Sequence, residues 1–272
     1  MAAPTIRTVA SYSTHQEYSV DFFGDELIVT VTPDPSVISR WIRNVFSCNR
    51  RPYSSRPLVV GVGVQWTPFP YYPDPPPVDD YFADPHPPPG DYYAHSPPDS
   101  YYANPPPGSY YVDPSPGDYY ADPPPPGSYY SDHPADTLQL CVDNRCLIIQ
   151  LSNCDYVPDE LRSFLADPGT TFVGVWNNKD AEKLAESSHQ LEIGELLDIR
   201  HYVRDSEGRS LRGCSFEVIV EECMGYQGVR LDPDISMSDW SVYYLHHDQI
   251  LQASLDAYVC FQLGVWVRLW EV

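Results

Sequence analysis

The sequence predicts one α/β domain, a mixed sheet flanked by helices, with a single long low-complexity insertion. Three observations predict it. Alternating or β-branched apolar runs read as strands, and segments with apolar residues on one helical face are interspersed with them and follow them. Residues 71–134 fit neither pattern: they contain 20 of the 30 prolines, 13 of the 22 tyrosines, ten Asp, and no Glu, Lys or Arg.

In chain order, residues 17–32 alternate as a hairpin, with Tyr18, Val20 and Phe22 before a turn at Gly24-Asp25 and Leu27, Val29 and Val31 after it. PDPSVISRWIRNVF predicts a helix with Asp34 or Ser36 as cap and Val37, Ile38, Trp41, Ile42 and Val45 on one side. Leu58 to Trp66 (LVVGVGVQW) is a β-branched run with glycines at 61 and 63, the pattern of a buried central strand. Residues 138–142 and 146–151 flank Asp143-Asn144-Arg145 as a second hairpin. Val157 to Leu165 predicts a short helix, Thr170 to Trp176 a buried strand, and Asn177 to Ser187 a helix with Asp180 in its first turn. Residues 209–223 and 248–262 have helical apolar spacing.

The insertion is built from units such as PPPGSYYVD and PSPGDYYAD, with an aromatic pair opening at 71, 81, 92, 101, 110, 119 and 129. Proline lacks the backbone donor that a helix or a central strand needs, so the segment predicts solvated polyproline II broken by turns. The organisation expected is a flexible N-terminus at 1–16, a folded domain made of 17–70 and 135–272, and a disordered repeat insertion at 71–134. Tandem aromatics and prolines also suit ligands of proline-reading domains, which makes protein partners for the insertion one expectation and a tolerated loop expansion the other.

Against 38 Asp+Glu the 272 residues set only 16 Lys+Arg, a net charge of −22, of which the ten Asp of the insertion explain less than half. Lys179 and Lys183 are the only lysines. Such a polyanion repels phosphate backbones, so nucleic acid is a disfavoured partner unless cations or a local basic patch intervene. Seven cysteines without a CxxC spacing argue for a reducing compartment rather than a disulfide framework. The first twenty residues do not read as a secretory signal, and the most apolar stretch, Tyr258 to Trp270, is interrupted by Gln262 and Arg268 and too short for a bilayer. A soluble intracellular protein of nucleus or cytosol, without a membrane partner, is expected; Arg50-Arg51 is too short for a nuclear import signal.

The blocks YSVDFFGDELIVTVT, LVVGVGVQW, LQLCVDNRCLIIQL, FVGVWNNKDAEKL and DWSVYYLHHDQILQASLDAYVCFQLG, taken in order, resemble the plant Werner syndrome-like 3′–5′ exonucleases of the DEDDy, RNase D-related group. The resemblance covers nearly everything outside 71–134. It implies an RNase H-like fold and phosphodiester hydrolysis at a 3′ end by two divalent ions, Mg²⁺ or Mn²⁺. Two hard cations about 4 Å apart need several oxygen ligands, which that family draws from four acids. Its first motif is Asp-x-Glu on a central strand, its second an Asp opening a helix, and its third Tyr-x-x-x-Asp on the last helix.

The sequence departs from that pattern at three places. Gly63 stands at the Asp position and Gln65 at the Glu position of the first motif, and Gln252 stands where the Tyr would be. Asp180 and Asp256 keep the acids of the second and third motifs, as remnant metal ligands. Losing roughly 4–6 kcal/mol of transition-state stabilisation slows a reaction on the order of 10³–10⁴-fold. The resemblance thus implies a degenerate site with weak or lost metal binding. Plainer readings stand beside it. Asp180 also fits a charge at a helix N-terminus. Asp256 is a poor helix former in mid-helix, a relic or a single-metal ligand. His246-His247-Asp248 reads as a helix start with Gln249 in its first turn, and Trp66, Trp176 and Trp240 as core or pocket wall. Three functions remain open: an impaired exonuclease, a weakly active one working through Asp180 and Asp256, and a scaffold acting through the insertion.

Overall fold

The structure is a computed structural model that describes residues 3–49, 57–68 and 133–271. Eight strands form one mixed sheet: β1 Thr5–Ser11, β2 Gln16–Phe22, β3 Asp25–Thr32, β4 Leu58–Gln65, β5 Thr137–Val142, β6 Arg145–Gln150, β7 Thr170–Gly174 and β8 Leu196–Asp198. Their order across the sheet is β1-β2-β3-β6-β5-β4-β7-β8. The β3–β6, β4–β7 and β7–β8 pairs are parallel and the rest antiparallel. The helices are α1 Pro35–Asn49, α2 Asp159–Leu165, α3 Asp180–Glu186, α4 Phe216–Met224, α5 Pro233–Ser236 and α6 His247–Trp266. The α/β architecture expected from the sequence is the one observed.

Local chemistry sets the elements. In the β2–β3 hairpin Val20 pairs with Leu27 and Tyr18 with Val29, all buried, and the turn places Phe23 and Gly24 at positive φ. Asp34, rather than Ser36, caps α1: its Oδ1 accepts from the N–H groups of Ser36 at 2.8 Å and Val37 at 3.2 Å. The α1 face of Val37, Ile38, Trp41, Ile42 and Val45 is buried. Gln249 Oε1 accepts the His246 N–H at 2.9 Å, so this histidine stretch starts α6, and the His247 ring lies 3.2 Å from Thr8 Oγ1. The interior positions of β4 and all of β5 are buried on both faces, which puts the centre of the sheet inside the core.

On both sides of the insertion the backbone is tied together. Gln65 pairs with Thr137, and Asp136 Oδ2 accepts from the Thr67 N–H and hydroxyl, both at 2.7 Å. The chain therefore leaves β4 and re-enters β5 at neighbouring points of one antiparallel pair. The repeat units themselves, with their expected polyproline II and disorder, lie outside the described residues.

Several sequence expectations need correction. Residues 5–11, assigned to a flexible N-terminus, are the edge strand β1, paired antiparallel with β2. Most of its side chains are exposed, so backbone hydrogen bonding holds it and no apolar alternation announces it. The helix expected over 209–223 begins at Phe216, where Ser215 Oγ accepts from the Val218 N–H at 3.3 Å. Upstream, Asp205 Oδ1 takes the N–H groups of Glu207 and Arg209 into a turn. Trp240 is core, but Trp176 is 49% exposed and belongs to no core. All seven cysteines are unbridged, and no helix among the described residues is long and apolar enough to cross a membrane.

Candidate functional site

The site begins at the contact of β4 with α6. The two-residue period of a strand puts Gly61, Gly63 and Gln65 on one face. A Cβ added at Gly61 would lie 1.8 Å from the Ala257 carbonyl oxygen and 2.7 Å from the Phe261 nitrogen, so the helix backbone sits directly on the strand there. One step along the same face, a Cβ at Gly63 would lie 3.1 Å from Asp256 Oδ2. Glycine at 61 thus lets α6 dock closely, and that docking delivers Asp256 to position 63.

Asp180 is brought to the same place by a different route. It is the first residue of α3, buried, at the end of the connection that leaves β7. Burial raises its pKa to about 8, helped by the charges of Asp256 and Asp198. Burial likewise raises Asp256 to about 7, against a small opposing effect of the Cys260 thiol, whose sulfur is 3.9 Å from Asp256 Oδ1. Burial raises both acids, and the charge of Asp256 further favours the proton on Asp180. Near pH 7 the pair still keeps at least one of its two protons.

A third carboxylate stands close by. Asp198 ends β8, paired with Gly174, and holds Arg200 through both oxygens, with Nε at 3.0 Å from each and Nη2 at 2.5 Å from Oδ2. Arg200 in turn lies over the Trp176 ring at 3.6 Å from its centroid. Arg200 thus commits Asp198 to an ion pair. Among the described residues no cluster of three or more His, Cys, Asp or Glu has an arrangement able to hold a metal ion.

Of the five residues singled out in the sequence, the structure brings Gly63, Asp256 and Asp180 together. Gln252 is on α6 one turn before Asp256, but its carboxamide is committed elsewhere: Oε1 accepts the Asp232 N–H at 2.6 Å, and Nε2 donates to Ser236 Oγ at 2.8 Å and the Asp232 carbonyl at 3.3 Å. Gln252 is thereby the clamp that holds α5 on α6. Gln65 is half-buried at the end of β4, its carbonyl accepting the Asp136 N–H at 2.9 Å.

Sequence reasoning missed Gln139. It is fully buried on β5, directly opposite Gly63, and its Oε1 lies 2.8 Å from the point where a Gly63 Cβ would be. Its Nε2 donates to Thr137 Oγ1 at 2.6 Å, while Oε1 has no hydrogen-bond partner among the described residues. The available signal was a lone glutamine in the apolar strand LQLCV. Asp198 carried less signal, standing at the end of a three-residue strand.

Comparison with known proteins decides the family. A family profile described as 3′–5′ exonuclease matches residues 128–270. The chain belongs to this 3′–5′ exonuclease family. No curated protein sequence matches it significantly. Among solved structures, the catalytic core of RRP6 from Trypanosoma brucei, as a cysteine-to-serine mutant, matches 88% of this chain and 46% of its own at 10% identity, TM-score 0.50. The EXD2 exonuclease domain soaked in Mn matches with 17% identity over 88% of this chain and 86% of that one, TM-score 0.37. The Nibbler EXO domain of Aedes aegypti gives 9% identity, 88% and 87% coverage, and a TM-score of 0.49. Of these three, the RRP6 core reaches a TM-score of 0.50, and at 10% identity that likeness speaks for the fold, an RNase H-like mixed sheet flanked by helices, and for nothing further.

Proposed function

We propose that this chain is a Werner-like, DEDDy-type member of the exonuclease family, a protein of nucleic-acid metabolism whose hydrolytic activity is impaired. The observation that carries the reading is Gly63: it lies against Asp256, at the centre of the site, and offers no side chain there. In this reading Asp180 and Asp256 are remnants of a metal site, and Gly63, Gln65 and Gln252 are its lost members.

The donor set does not fit a pair of divalent cations. Two carboxyls with pKa values of about 8 and 7 supply at most two negative charges, and only after releasing their protons. Gln252, at the Tyr position, has its carboxamide engaged with Asp232 and Ser236.

A second reading keeps weak activity with a single Mg²⁺ or Mn²⁺ at Asp180 and Asp256, and their burial within electrostatic reach of each other favours it. A scaffold role for residues 71–134 rests on composition alone. Nucleus or cytosol is the proposed setting, and the net charge of −22 argues for weak nucleic-acid binding. Calorimetric titration of the full chain with Mn²⁺ tests the main reading. Binding no tighter than millimolar supports it; two ions bound in the micromolar range contradict it.

A further inference from the structure

We infer that Gln139 blocks the site: its buried carboxamide occupies the room that an acidic side chain at position 63 would need to reach Asp256. This rests on the reading above, in which Gly63 stands in the place of a metal-holding acid. Gln139 belongs to none of the three motifs, and sequence comparison of the motifs alone does not single it out.

The register makes the two residues direct cross-strand partners, Gly63 on β4 and Gln139 on β5. A Cβ at position 63 would meet Gln139 Oε1 at 2.8 Å, closer than such contacts occur, before any atom of a longer side chain were added. Gln139 is fully buried and its amide nitrogen is held by Thr137 Oγ1, so making room means turning the carboxamide within the core and giving up that bond. Its Oε1, without a partner among the described residues, and Asp256 Oδ2 lie 2.8 and 3.1 Å from the same point. A side chain built out from that point would enter a buried space already lined by these two oxygens. The site is thus closed sterically as well as short of charge. Glycine at 63 and glutamine at 139 act as a unit, and reversing the motif positions alone leaves the obstacle in place.

The test uses the full chain. One variant carries Gly63→Asp, Gln65→Glu and Gln252→Tyr together; a second adds Gln139→Ala. Mn²⁺ affinity is read by calorimetry, and the fourfold variant is expected to bind at least tenfold more tightly than the threefold one. A separate cycle reads the midpoint of thermal unfolding: Gly63→Ala is expected to lower it in the natural background and by less than half as much when Gln139→Ala is present. Equal Mn²⁺ affinities in the threefold and fourfold variants overturn the inference, and so does an unchanged cost of Gly63→Ala. Should the motif variants fail to fold, the unfolding cycle decides alone. A threefold variant that already binds Mn²⁺ and degrades DNA removes Gln139 as the obstacle while leaving motif loss as the cause of impairment. Efficient hydrolysis by the unaltered chain overturns the functional reading instead.

Discussion

Asp180 and Asp256 set the pH response of the site. Both are raised from ordinary values near 3.8, to about 8 and about 7, because burial penalises their charged forms. The folded chain therefore keeps protons that the unfolded chain has released. Their contribution to stability is complete below about pH 4 and is lost as pH rises through 7 and 8. Asp256→Asn should accordingly stabilise the protein by roughly 1–3 kcal/mol at pH 8.5, with the gain vanishing by pH 4; urea unfolding at the two pH values checks it. Gln252 has a purely structural role in the same neighbourhood. Gln252→Ala strands the Asp232 N–H and is expected to cost about 1–3 kcal/mol with an unchanged urea m-value. Asp180 and Asp256 were legible through the resemblance, as the acids at its second and third motif positions, and Asp256 also as a poor helix former in mid-helix. Gln139 was not, because only strand register shows that it faces Gly63.

The contact of α6 with β4 is the element-scale device that builds the site. It depends on Gly61, whose missing side chain lets the backbone at Ala257 and Phe261 approach. Gly61→Ala puts a methyl group into backbone that cannot step aside, and is expected to destabilise by about 3 kcal/mol or more, read as lost soluble expression or a fall in Tm. The same reasoning explains which elements the sequence disclosed. β2, β3, β4, α1 and α6 carry apolar residues at strand or helical spacing because each buries a face. Edge strands β1 and β8 bury little and depend on backbone pairing, which leaves no hydrophobic period to read. The break between residues 209 and 216 was hidden for a related reason: the Asp205 turn competes with helix through side-chain hydrogen bonds, and apolar spacing does not register them.

On the scale of the whole molecule, the folded domain closes across the root of the insertion through Thr67, Asp136 and the Gln65–Thr137 pair. Replacing residues 70–132 by a short turn should therefore leave the domain folded, with stability unchanged or higher by up to about 2 kcal/mol from the shorter loop. Circular dichroism melts of the two forms check this. The net charge of −22 opposes a polyanionic substrate. The chain thus retains the architecture of its exonuclease family around a site with two buried acids of raised pKa and a glycine at the strand position facing Asp256. The most direct test is hydrolysis of a 3′-labelled single-stranded oligonucleotide by the full chain in Mn²⁺ at pH 8, beside the Asp180→Ala, Asp256→Ala double variant. The account predicts no shortening beyond that left by the double variant; rapid stepwise shortening that the double variant abolishes would contradict it.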